Sequence, residues 1–280
     1  MTANKGRGGK AERRPLILVS NDDGIDAEGI QVLRRAVESL AEVWVVAPRD
    51  EQSAVSNAIS LRDPLRVEKR GERQLAVSGT PTDCVYVALN HVLERKPDLC
   101  VTGINHGANL GDDVVYSGTV AAAIEATMSD VDSMAFSLAG TSSTGLQGTT
   151  EHIRRLVEEG LERRTPRGTL LNINFPSQVE ASTRTVLTKL GRRNYGRVVV
   201  EKEDPRKRSY FWLGGNELGF DDIPGSDCNA VAEGLISISP VSLDMTDHRF
   251  MDELCRWRSV EDGRRLEVVE RGVDDADFGR

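Results

Sequence analysis

The chain has 280 residues, of which 39% are hydrophobic and 29% are charged. These proportions are close to those of soluble globular proteins, so they exclude a disordered chain, a collagen and a small disulfide scaffold. The 44 acidic residues outnumber the 36 lysines and arginines, which gives a net charge of -8. Because a negative surface repels phosphate backbones and anionic lipids, polymeric nucleic acid and membranes are not expected as partners.

The cysteines and the chain ends favour a cytoplasmic location. The four cysteines form no C-x-x-C pair, and three of them lie in apolar segments, which predicts buried free thiols. Residues 1–14 carry five basic residues but no apolar segment, so we expect a disordered extension rather than a secretory signal. Residues 271–280 are polar and predict a loose tail. No apolar stretch approaches the roughly 20 residues that a membrane span requires.

Short apolar segments alternate with amphipathic ones through the first half of the chain. Strands are predicted at 16–20, 43–47, 99–102, 134–138 and 169–173. Helices are predicted at 27–40, 81–93, 119–128 and 152–161. Strands without polar alternation, separated by helices, are typical of a parallel sheet that is covered on both faces. The expected fold is therefore α/β, with a doubly wound, mostly parallel, Rossmann-like sheet.

The second half of the chain has a weaker pattern. Strand-like segments at 186–190, 197–201 and 209–213 are separated by charged or glycine-rich stretches, and 235–238 is a clearer strand. We expect these segments to extend the core, with a hairpin arm, rather than to form an independent domain. The predicted organisation is one domain over 15–270, with its core at 15–176 and irregular extensions at 177–270.

A Ser-Asn-Asp-Asp-Gly segment follows the first predicted strand and carries the strongest local signal. In open parallel sheets, ligands bind outside the carboxyl ends of the strands. The adjacent carboxylates of Asp22 and Asp23 repel each other there, and a divalent cation that prefers oxygen ligands, such as Mg²⁺ or Mn²⁺, would neutralise both. The same segment is also typical of an exposed turn, and alone it does not separate the two interpretations.

The second signal is a polar, glycine-rich segment of 17 residues, 103–119, between a predicted strand and a predicted helix. Its four glycines let the backbone approach a ligand closely. Ser117 and Thr119 lie at the predicted helix N-terminus, where free N–H groups favour anions. Ordinary N-capping explains Ser117 by itself. A loop of this length is nevertheless uncommon inside a compact core, which indicates a functional role.

Two shorter segments are expected on the same edge of the sheet. Residues 48–57 follow the second strand, and their hydroxyls and amides can complete an oxygen coordination sphere, although charged loops are more often only solvated. Residues 79–84 predict the start of a helix, with Pro81 in its first turn.

Several catalytic motifs are absent from the sequence. No G-x-G-x-x-G follows a strand, and the chain has neither a P-loop nor a G-x-S-x-G nucleophile elbow. With four histidines, a histidine-rich zinc site is not expected, and His91 and His152 fit structural positions. Dinucleotide binding, P-loop chemistry and the α/β-hydrolase mechanism therefore lose support.

Five segments occur in a fixed order and spacing: SNDDG, APRDEQS, GTPTDCVY, GINHGANLGDD and YSGTVAAAIEA. Together they resemble the SurE (survival protein) family of metal-dependent 5′/3′-nucleotidases over about 16–138, and a weaker similarity extends through 237–248. The resemblance implies that one divalent ion is bound by Asp22, Asp23, Ser53 and Asn105. It also implies that the phosphoryl group contacts Asn109, Ser117, Gly118 and Thr119.

The resemblance further implies an activity and an assembly. Members of the family hydrolyse nucleoside monophosphates at the 5′ or the 3′ position, and some act on polyphosphate. They form dimers or tetramers through an exchanged hairpin and a C-terminal arm, which matches the irregular second half of this chain. Three features depart from the family pattern: Ala54 stands where glycine is expected, 140–148 is rich in small residues, and the extension before Leu16 is additional.

The expected reaction is hydrolysis of a nucleoside monophosphate by a water that the cation activates, with Asn109 and the helix N-terminus stabilising the phosphoryl oxygens. Asp23 either orients that water or acts as the nucleophile, and the sequence leaves both open. His248 is a candidate proton donor to the leaving alcohol, and a surface histidine is an equally good interpretation of it.

A non-catalytic module that senses phosphate or metal is the competing class. Receiver domains also place paired acidic residues after their first strand, but they need a phosphorylatable aspartate after the third, where this chain has Gly103, Ile104 and Asn105. The chain is also about twice as long as such a module needs. A nucleotide-binding structural subunit is a third possibility, and exopolyphosphatase activity is the alternative substrate class.

Overall fold

The computed structural model describes residues 13–140, 142–195, 199–213, 219–257 and 259. The chain divides into two compact units, Met1–Leu243 and Asp244–Arg280. The predicted tail at 271–280, the boundary at 270 and most of the predicted N-terminal extension lie outside the described residues. Arg13 and Arg14, the described part of that extension, are exposed and have no regular secondary structure.

The first unit contains most of the regular structure. Its strands are β1 (Leu16–Ser20), β2 (Glu42–Pro48), β3 (Val67–Gly71), β4 (Gln74–Val77), β5 (Leu99–His106), β6 (Ser133–Leu138), β7 (Thr169–Phe175), β8 (Thr185–Leu187), β9 (Arg193–Asn194), β10 (Val199–Glu203), β11 (Ser209–Leu213), β12 (Gly219–Phe220) and β13 (Ile236–Ser242). Its α-helices are α1 (Glu28–Val37), α2 (Pro81–Val87), α3 (Gly118–Met128), α4 (Ser143–Glu162) and α5 (Asp227–Ala232). A π-helical turn, Ala88–Val92, continues α2, and a 3₁₀ turn, Gly111–Val115, precedes α3.

Nine strands form the central sheet in the order β3-β4-β2-β1-β5-β6-β7-β13-β8. Neighbouring strands from β4 to β7 are parallel, whereas β3 and β13 run antiparallel to β4 and β7. The chain passes from β1 to β2 on one side and later returns to β5 on the other, so the topology switches between β1 and β5. The predicted α/β fold with a mostly parallel sheet is confirmed.

Helices cover the sheet on both faces, which explains why its strands lack polar alternation. In β1, Ile17 and Val19 belong to the core cluster that α1 and α4 complete, while Leu18 belongs to the cluster under α2 and α3. Because successive strand residues point to opposite faces, both sets must be apolar. The apolar segments of the sequence therefore identify the strands at the centre of the sheet.

Residues 103–106 belong to β5, although the sequence pattern predicts a loop there. The extension packs against α1: a Cβ atom at Gly29 would lie 2.0 Å from the carbonyl oxygen of Ile104. Glycine at position 29 thus permits a close approach of helix and strand. As a result, Asn105 lies on a strand that the core holds on one side, and not on a free loop.

Two further differences from the predicted elements have a local cause. Helix α4 begins at Ser143 and not at 152, because its small residues pack closely: a Cβ at Gly148 would lie 2.3 Å from the carbonyl oxygen of Val179. The sequence pattern misses β3 and β4 because both strands are short. In addition, β3 lies at the edge of the sheet and is mostly exposed, so it lacks an apolar pattern. Of the strand predicted at 197–201, residues 197 and 198 lie outside the described part.

The second half of the first unit contains small, separate sheets. Strands β10 and β11 pair in antiparallel fashion, and β9 pairs with β12. Every residue of β10 is exposed, unlike those of β1. The second unit contains α6 (His248–Leu254).

Cys84, Cys100 and Cys228 are buried free thiols, as predicted, whereas Cys255 is only half-buried. Among the described helices, none is both long and apolar enough to cross a membrane.

Candidate active site

Three loops meet where the carboxyl ends of β1, β2 and β5 lie side by side. Asp22 and Asp23 directly follow β1, which pairs with both β2 and β5. Gly24 has φ +97°, which glycine adopts without strain and which turns the chain after the two carboxylates. The loop after β2 is held against them, because the N–H of Gln52 donates to the carbonyl oxygen of Asp22 at 2.8 Å.

A cleft of about 280 Å³ opens at this edge. It is lined by Asp22, Ser53, Ala54, Asn105, His106, Gly107, Ala108, Asn109, Asp113, Tyr116, Ser117 and Tyr195. Five of the eight residues predicted to bind metal or phosphate are in this set. The other three, Asp23, Gly118 and Thr119, each contact a residue that lines the cleft.

Asp22 is a buried carboxylate, with only 4% of the residue exposed. Burial raises its pKa to about 6, and the charge of Asp23 acts in the same direction, while the hydroxyl of Thr119 donates to Oδ1 of Asp22 and opposes the shift. Gly118 leaves room for this carboxylate, because a Cβ there would lie 2.8 Å from the Cβ of Asp22. The first turn of α3 therefore fixes the position of Asp22.

Asp23 is anchored to the end of β5. Its Oδ2 accepts a hydrogen bond from the backbone N–H of His106 at 3.3 Å, and burial raises its pKa. Within the described part of the chain, no lysine or arginine forms an ion pair with either carboxylate. Burial disfavours the charged form of both acids, and no described lysine or arginine pairs with them to compensate. They are therefore a donor set suited to a hard divalent cation.

Ser53 and Asn105 add neutral oxygen donors to this cleft. The side-chain Nδ2 of Asn105 donates to the carbonyl oxygen of Gly107 at 2.8 Å, which directs the amide and leaves its oxygen without a described partner. The hydroxyl of Ser53 donates to Glu51 at 2.9 Å. Among the described residues, no group of three His, Cys, Asp or Glu side chains is placed to hold a metal ion.

Ala54 stands at the position where the family resemblance leads us to expect glycine. Its φ is +58°, in the left-handed region that favours glycine. The local backbone thus keeps the turn that a glycine would make, while the side chain adds a methyl group to the lining of the cleft.

A buried polar network holds Asn109 at the end of the cleft. Its backbone N–H donates to Oδ1 of Asn174 at 2.8 Å, and its carbonyl oxygen accepts from Nδ2 of Asn172 at 2.9 Å and of Asn174 at 3.1 Å. Its own Nδ2 donates to the hydroxyl of Ser137 at 2.8 Å. Since an amide nitrogen carries two hydrogens, Asn109 keeps one donor for a ligand. The sequence pattern does not indicate the three partners, which lie on β6 and β7.

The N-terminus of α3 faces the same site. Ser117 is the N-cap, and its hydroxyl accepts from the N–H of Val120 at 3.1 Å, so the capping interpretation of Ser117 is correct. Ser117 also lines the cleft. The first N–H groups of a helix have no partner within the helix and carry partial positive charge, which favours an anion at Gly118 and Thr119.

The cleft is also lined by residues that the sequence analysis does not assign to the site: His106 at the end of β5, and Asp113, Tyr116 and Tyr195, which form its second wall. The hydroxyl of Tyr195 donates to Oδ1 of Asp113, and Arg193 lies 3.1 Å from Oδ2 of the same carboxylate. Burial raises the pKa of Asp113, against the opposing effect of the Arg193 charge. Asp113 belongs to a recognised motif, but Tyr195 lies in the half of the chain where the pattern is weak.

Asp227 ties this wall to the glycine-rich segment. Its buried carboxylate accepts from the N–H of Gly111 at 2.8 Å through Oδ2 and from the N–H of Gly191 at 2.7 Å through Oδ1. A Cβ at Gly111 would lie 2.7 Å from the carbonyl oxygen of Gly191, so the two segments are in close contact. The segment that carries Tyr195 is thereby attached to the one that carries Asn109.

His248 begins α6 in the second unit. Its Nε2 lies 2.6 Å from Oδ2 of Asp244, and both side chains are exposed. This pairing lowers the pKa of Asp244 to about 2. A role of His248 as proton donor stays a prediction. His152, by contrast, is buried, and its Nε2 lies 2.8 Å from the carbonyl oxygen of Glu180, as a structural histidine would.

Comparison with known proteins gives one consistent result. Residues 17–197 match the family described as survival protein SurE. The chain is 50% identical over 244 residues to the 5′-nucleotidase SurE of Myxococcus xanthus, which covers 86% of this chain and 93% of that protein. It is 46% identical over 244 residues to the 5′-nucleotidase SurE of Syntrophotalea carbinolica, with 86% and 97% covered.

A solved structure agrees with these relatives. The crystal structure of the SurE protein from Aquifex aeolicus superposes with a TM-score of 0.78 at 35% identity, and the match covers 86% of this chain and 98% of that one. The fold, the motifs at the strand ends and the identity over most of the chain agree. The chain belongs to the SurE family.

Proposed function

We propose that this protein is a metal-dependent phosphomonoesterase that hydrolyses nucleoside 5′-monophosphates to nucleoside and phosphate. The observation that carries the proposal is one cleft in which Asp22 and Asn105 lie with Asn109 and the N-terminus of α3. Cation ligands beside anion-binding groups are what phosphoryl transfer needs. The relatives from Myxococcus xanthus and Syntrophotalea carbinolica carry the name 5′-nucleotidase, which supports the same substrate class.

Asp22, Asp23, Ser53 and Asn105 would hold one divalent ion, Mg²⁺ or Mn²⁺. Their oxygens suit a hard cation. Burial raises the pKa of Asp22 to about 6, and the positive charge of a bound ion would offset this effect by stabilising the carboxylate. Such an ion supplies positive charge that polarises a phosphoryl oxygen and makes water a better nucleophile.

The residues of the chain then have separate roles. Asn109 donates its free Nδ2 hydrogen to an equatorial phosphoryl oxygen, and the N–H groups at Gly118 and Thr119 stabilise the charge that grows there. Asp23 orients the attacking water or attacks phosphorus itself. When water attacks, its oxygen forms the new P–O bond as the ester P–O bond breaks, and the proton of the water passes to solvent. When Asp23 attacks, the aspartyl phosphate that forms is hydrolysed by water in a second step, which releases phosphate and restores the carboxylate. In both cases the leaving alkoxide takes a proton, for which His248 is the candidate donor.

Phosphate release tests the proposal directly. Purified protein with Mn²⁺ or Mg²⁺ is incubated with 5′-AMP, 3′-AMP and inorganic polyphosphate, and released phosphate is followed over many turnovers. Steady release from 5′-AMP supports the proposal, and the other two substrates decide whether 3′-nucleotidase or exopolyphosphatase activity accompanies it. Binding of AMP without turnover would contradict it and favour a sensing module or a nucleotide-binding structural subunit.

An assembly of two or four chains belongs to the same proposal. The β10–β11 hairpin exposes apolar side chains: Val199, Val200, Tyr210, Phe211 and Trp212 are between 39% and 62% exposed. A two-stranded hairpin is at best marginally stable alone in water. Exchange of this arm between protomers would cover its apolar surface. A cytoplasmic location stays a prediction from the composition of the chain.

A further inference from the structure

The cleft has a wall that hydrolysis of the phosphate ester does not use. The strand ends and the α3 N-terminus account for the cation and the phosphoryl group, and both lie on the first half of the chain. Tyr195, from the second half, lines the same cleft and remains 41% exposed. An exposed aromatic ring beside a phosphate site can contact the organic part of a phosphate ester.

Tyr195 is held in place although it is exposed. Its hydroxyl donates to Asp113, and the guanidinium carbon of Arg193 lies 5.5 Å from the centre of its ring. Arg193 is itself fixed, with Nε 3.1 Å from Asp113 and its backbone N–H donating to Asp112 at 3.2 Å. Because the ring is already ordered, little conformational entropy is lost when a ligand packs against it.

We infer that Tyr195 determines specificity for nucleotides by stacking against the nucleobase while the phosphoryl group lies at Asn109 and Ser117. This inference rests on the proposed function and adds the group that recognises the nucleoside. Base–aromatic stacking depends on the π-face that every base has, so the contact tolerates different bases. Tyr195 therefore separates nucleotides from phosphate esters without a base, and it discriminates weakly between purines and pyrimidines.

The test compares two substrates that differ only in the base. AMP and ribose 5-phosphate share the ribose and the phosphoryl group, and kcat/KM is measured for both with the wild-type protein and with Tyr195→Ala. Ribose 5-phosphate is measured as a competitive inhibitor of AMP hydrolysis if its turnover is too slow. We expect Tyr195→Ala to lower kcat/KM for AMP roughly 5- to 150-fold, the fold-change that corresponds to about 1–3 kcal/mol of stacking. The value for ribose 5-phosphate changes less than about twofold, a ratio worth only about 0.4 kcal/mol.

Two further variants separate stacking from a structural effect. Tyr195→Phe keeps the ring and loses the bond to Asp113, so AMP hydrolysis stays within about threefold of wild type, a ratio of about 0.65 kcal/mol. Tyr86→Ala removes a tyrosine of similar exposure, 48%, from α2, and Tyr86 is not among the described residues that line the cleft. It should leave both substrates unchanged.

The outcomes distinguish this inference from the proposed function. If Tyr195→Ala impairs AMP and ribose 5-phosphate equally, or if Tyr195→Phe loses as much as Tyr195→Ala, Tyr195 is structural and the stacking inference is wrong. If the wild-type protein turns over AMP and Tyr195→Ala does so equally well, the inference also fails while the proposed function stands. If the wild-type protein turns over neither ester, the proposed function fails, and the inference fails with it.

Discussion

The cleft has two walls that are built in different ways: a first wall at the strand ends and the N-terminus of α3, and a second wall that contains Asp113 and Tyr195. Asp22, Asp23 and Asn105 follow or end strands of the central sheet, and all five residues of β1 are buried. Tyr195 directly follows β9, a strand of two residues in a separate small sheet. The first wall takes its geometry from backbone hydrogen bonds and a packed core, whereas the second takes it from a few side chains.

The difference suits the chemistry proposed for each wall. A cation and a transferring phosphoryl group need donors held within a fraction of an ångström, which strand ends and a helix N-terminus provide. A nucleobase needs a flat surface, which a ring held by Asp113 and Arg193 can offer with less precision. Loss of a group from the first wall should therefore affect turnover of every substrate, and loss from the second only that of some.

Removal of the cation should have the largest effect, because it affects the first wall as a whole. We expect protein treated with EDTA to lose turnover of AMP entirely and to regain it with Mn²⁺ or Mg²⁺, since Asp22 and Asp23 repel each other without a cation. Mn²⁺ should also raise the melting temperature of the metal-free protein, because a ligand of the native state stabilises it. Full activity of thoroughly metal-free protein would contradict the proposed metal site.

Asn105 and Asn109 lie four residues apart and should fail in different ways. Asn109→Ala removes the hydrogen bond that we propose to the phosphoryl group, and loss of one such donor costs about 2.7–4 kcal/mol, or roughly 10²- to 10³-fold in kcat. Excess Mn²⁺ should not recover this loss. Asn105→Ala should weaken cation affinity, so high Mn²⁺ should restore part of its activity. A metal titration of both variants with AMP measures the contrast.

The opposite pattern has a definite meaning. If Mn²⁺ rescues Asn109→Ala and does not rescue Asn105→Ala, the roles of the two side chains are reversed. If neither responds to Mn²⁺, Asn105 is not a ligand of the cation.

Much of the first wall can be predicted from the sequence, and the reason is physical. Buried parallel strands require apolar residues on both faces, so the strand ends are visible as the points where an apolar segment gives way to polar residues. The motif after β1 then indicates Asp22, whereas Asn105, which lies within β5, is indicated only by the resemblance to the family. Residues 103–106 are misread as loop because their glycine and polar residues resemble one, although Asn105 and His106 pair with β6 after a shift in register.

The second wall and the support of Asn109 cannot be predicted in this way. Asn174 lies within an apolar segment of β7, where the pattern indicates a strand but not a partner 65 residues away in the sequence. Tyr195 follows a strand of two residues that leaves no periodic signal. Both depend on tertiary contacts between distant segments, and no local pattern encodes such contacts.

Asn174 offers a smaller effect inside the first wall. Asn174→Ala leaves the backbone N–H of Asn109 buried without this acceptor, which costs about 1–3 kcal/mol of stability. Because Asn109 then loses its fixed position, we expect kcat for AMP to fall about tenfold, equivalent to about 1.4 kcal/mol, with an unchanged Mn²⁺ requirement.

Thr127→Ala is the matched control: Thr127 is also buried and hydrogen-bonded, to Ala123 and Ser133, at the opposite end of α3. It should lower the melting temperature without lowering kcat, and an equal loss of kcat in both would make Asn174 merely structural.

The hairpin should give the smallest effect on catalysis and a clear effect on assembly. Phe211 and Trp212 are 58% and 62% exposed on β11, so a double Phe211→Ser, Trp212→Ser variant should lose the apolar surface that a second protomer covers. Sedimentation equilibrium should give two or four times 30.7 kDa for the wild-type chain and a value near the monomer for the variant. Because the residues that we propose to bind the cation and the phosphoryl group lie around the strand ends of the central sheet and the N-terminus of α3, kcat should change less than about threefold, a ratio of about 0.65 kcal/mol. A wild-type chain that is monomeric at micromolar concentration would contradict the exchanged arm. A monomeric variant that loses all turnover would instead show that the first wall depends on a second protomer.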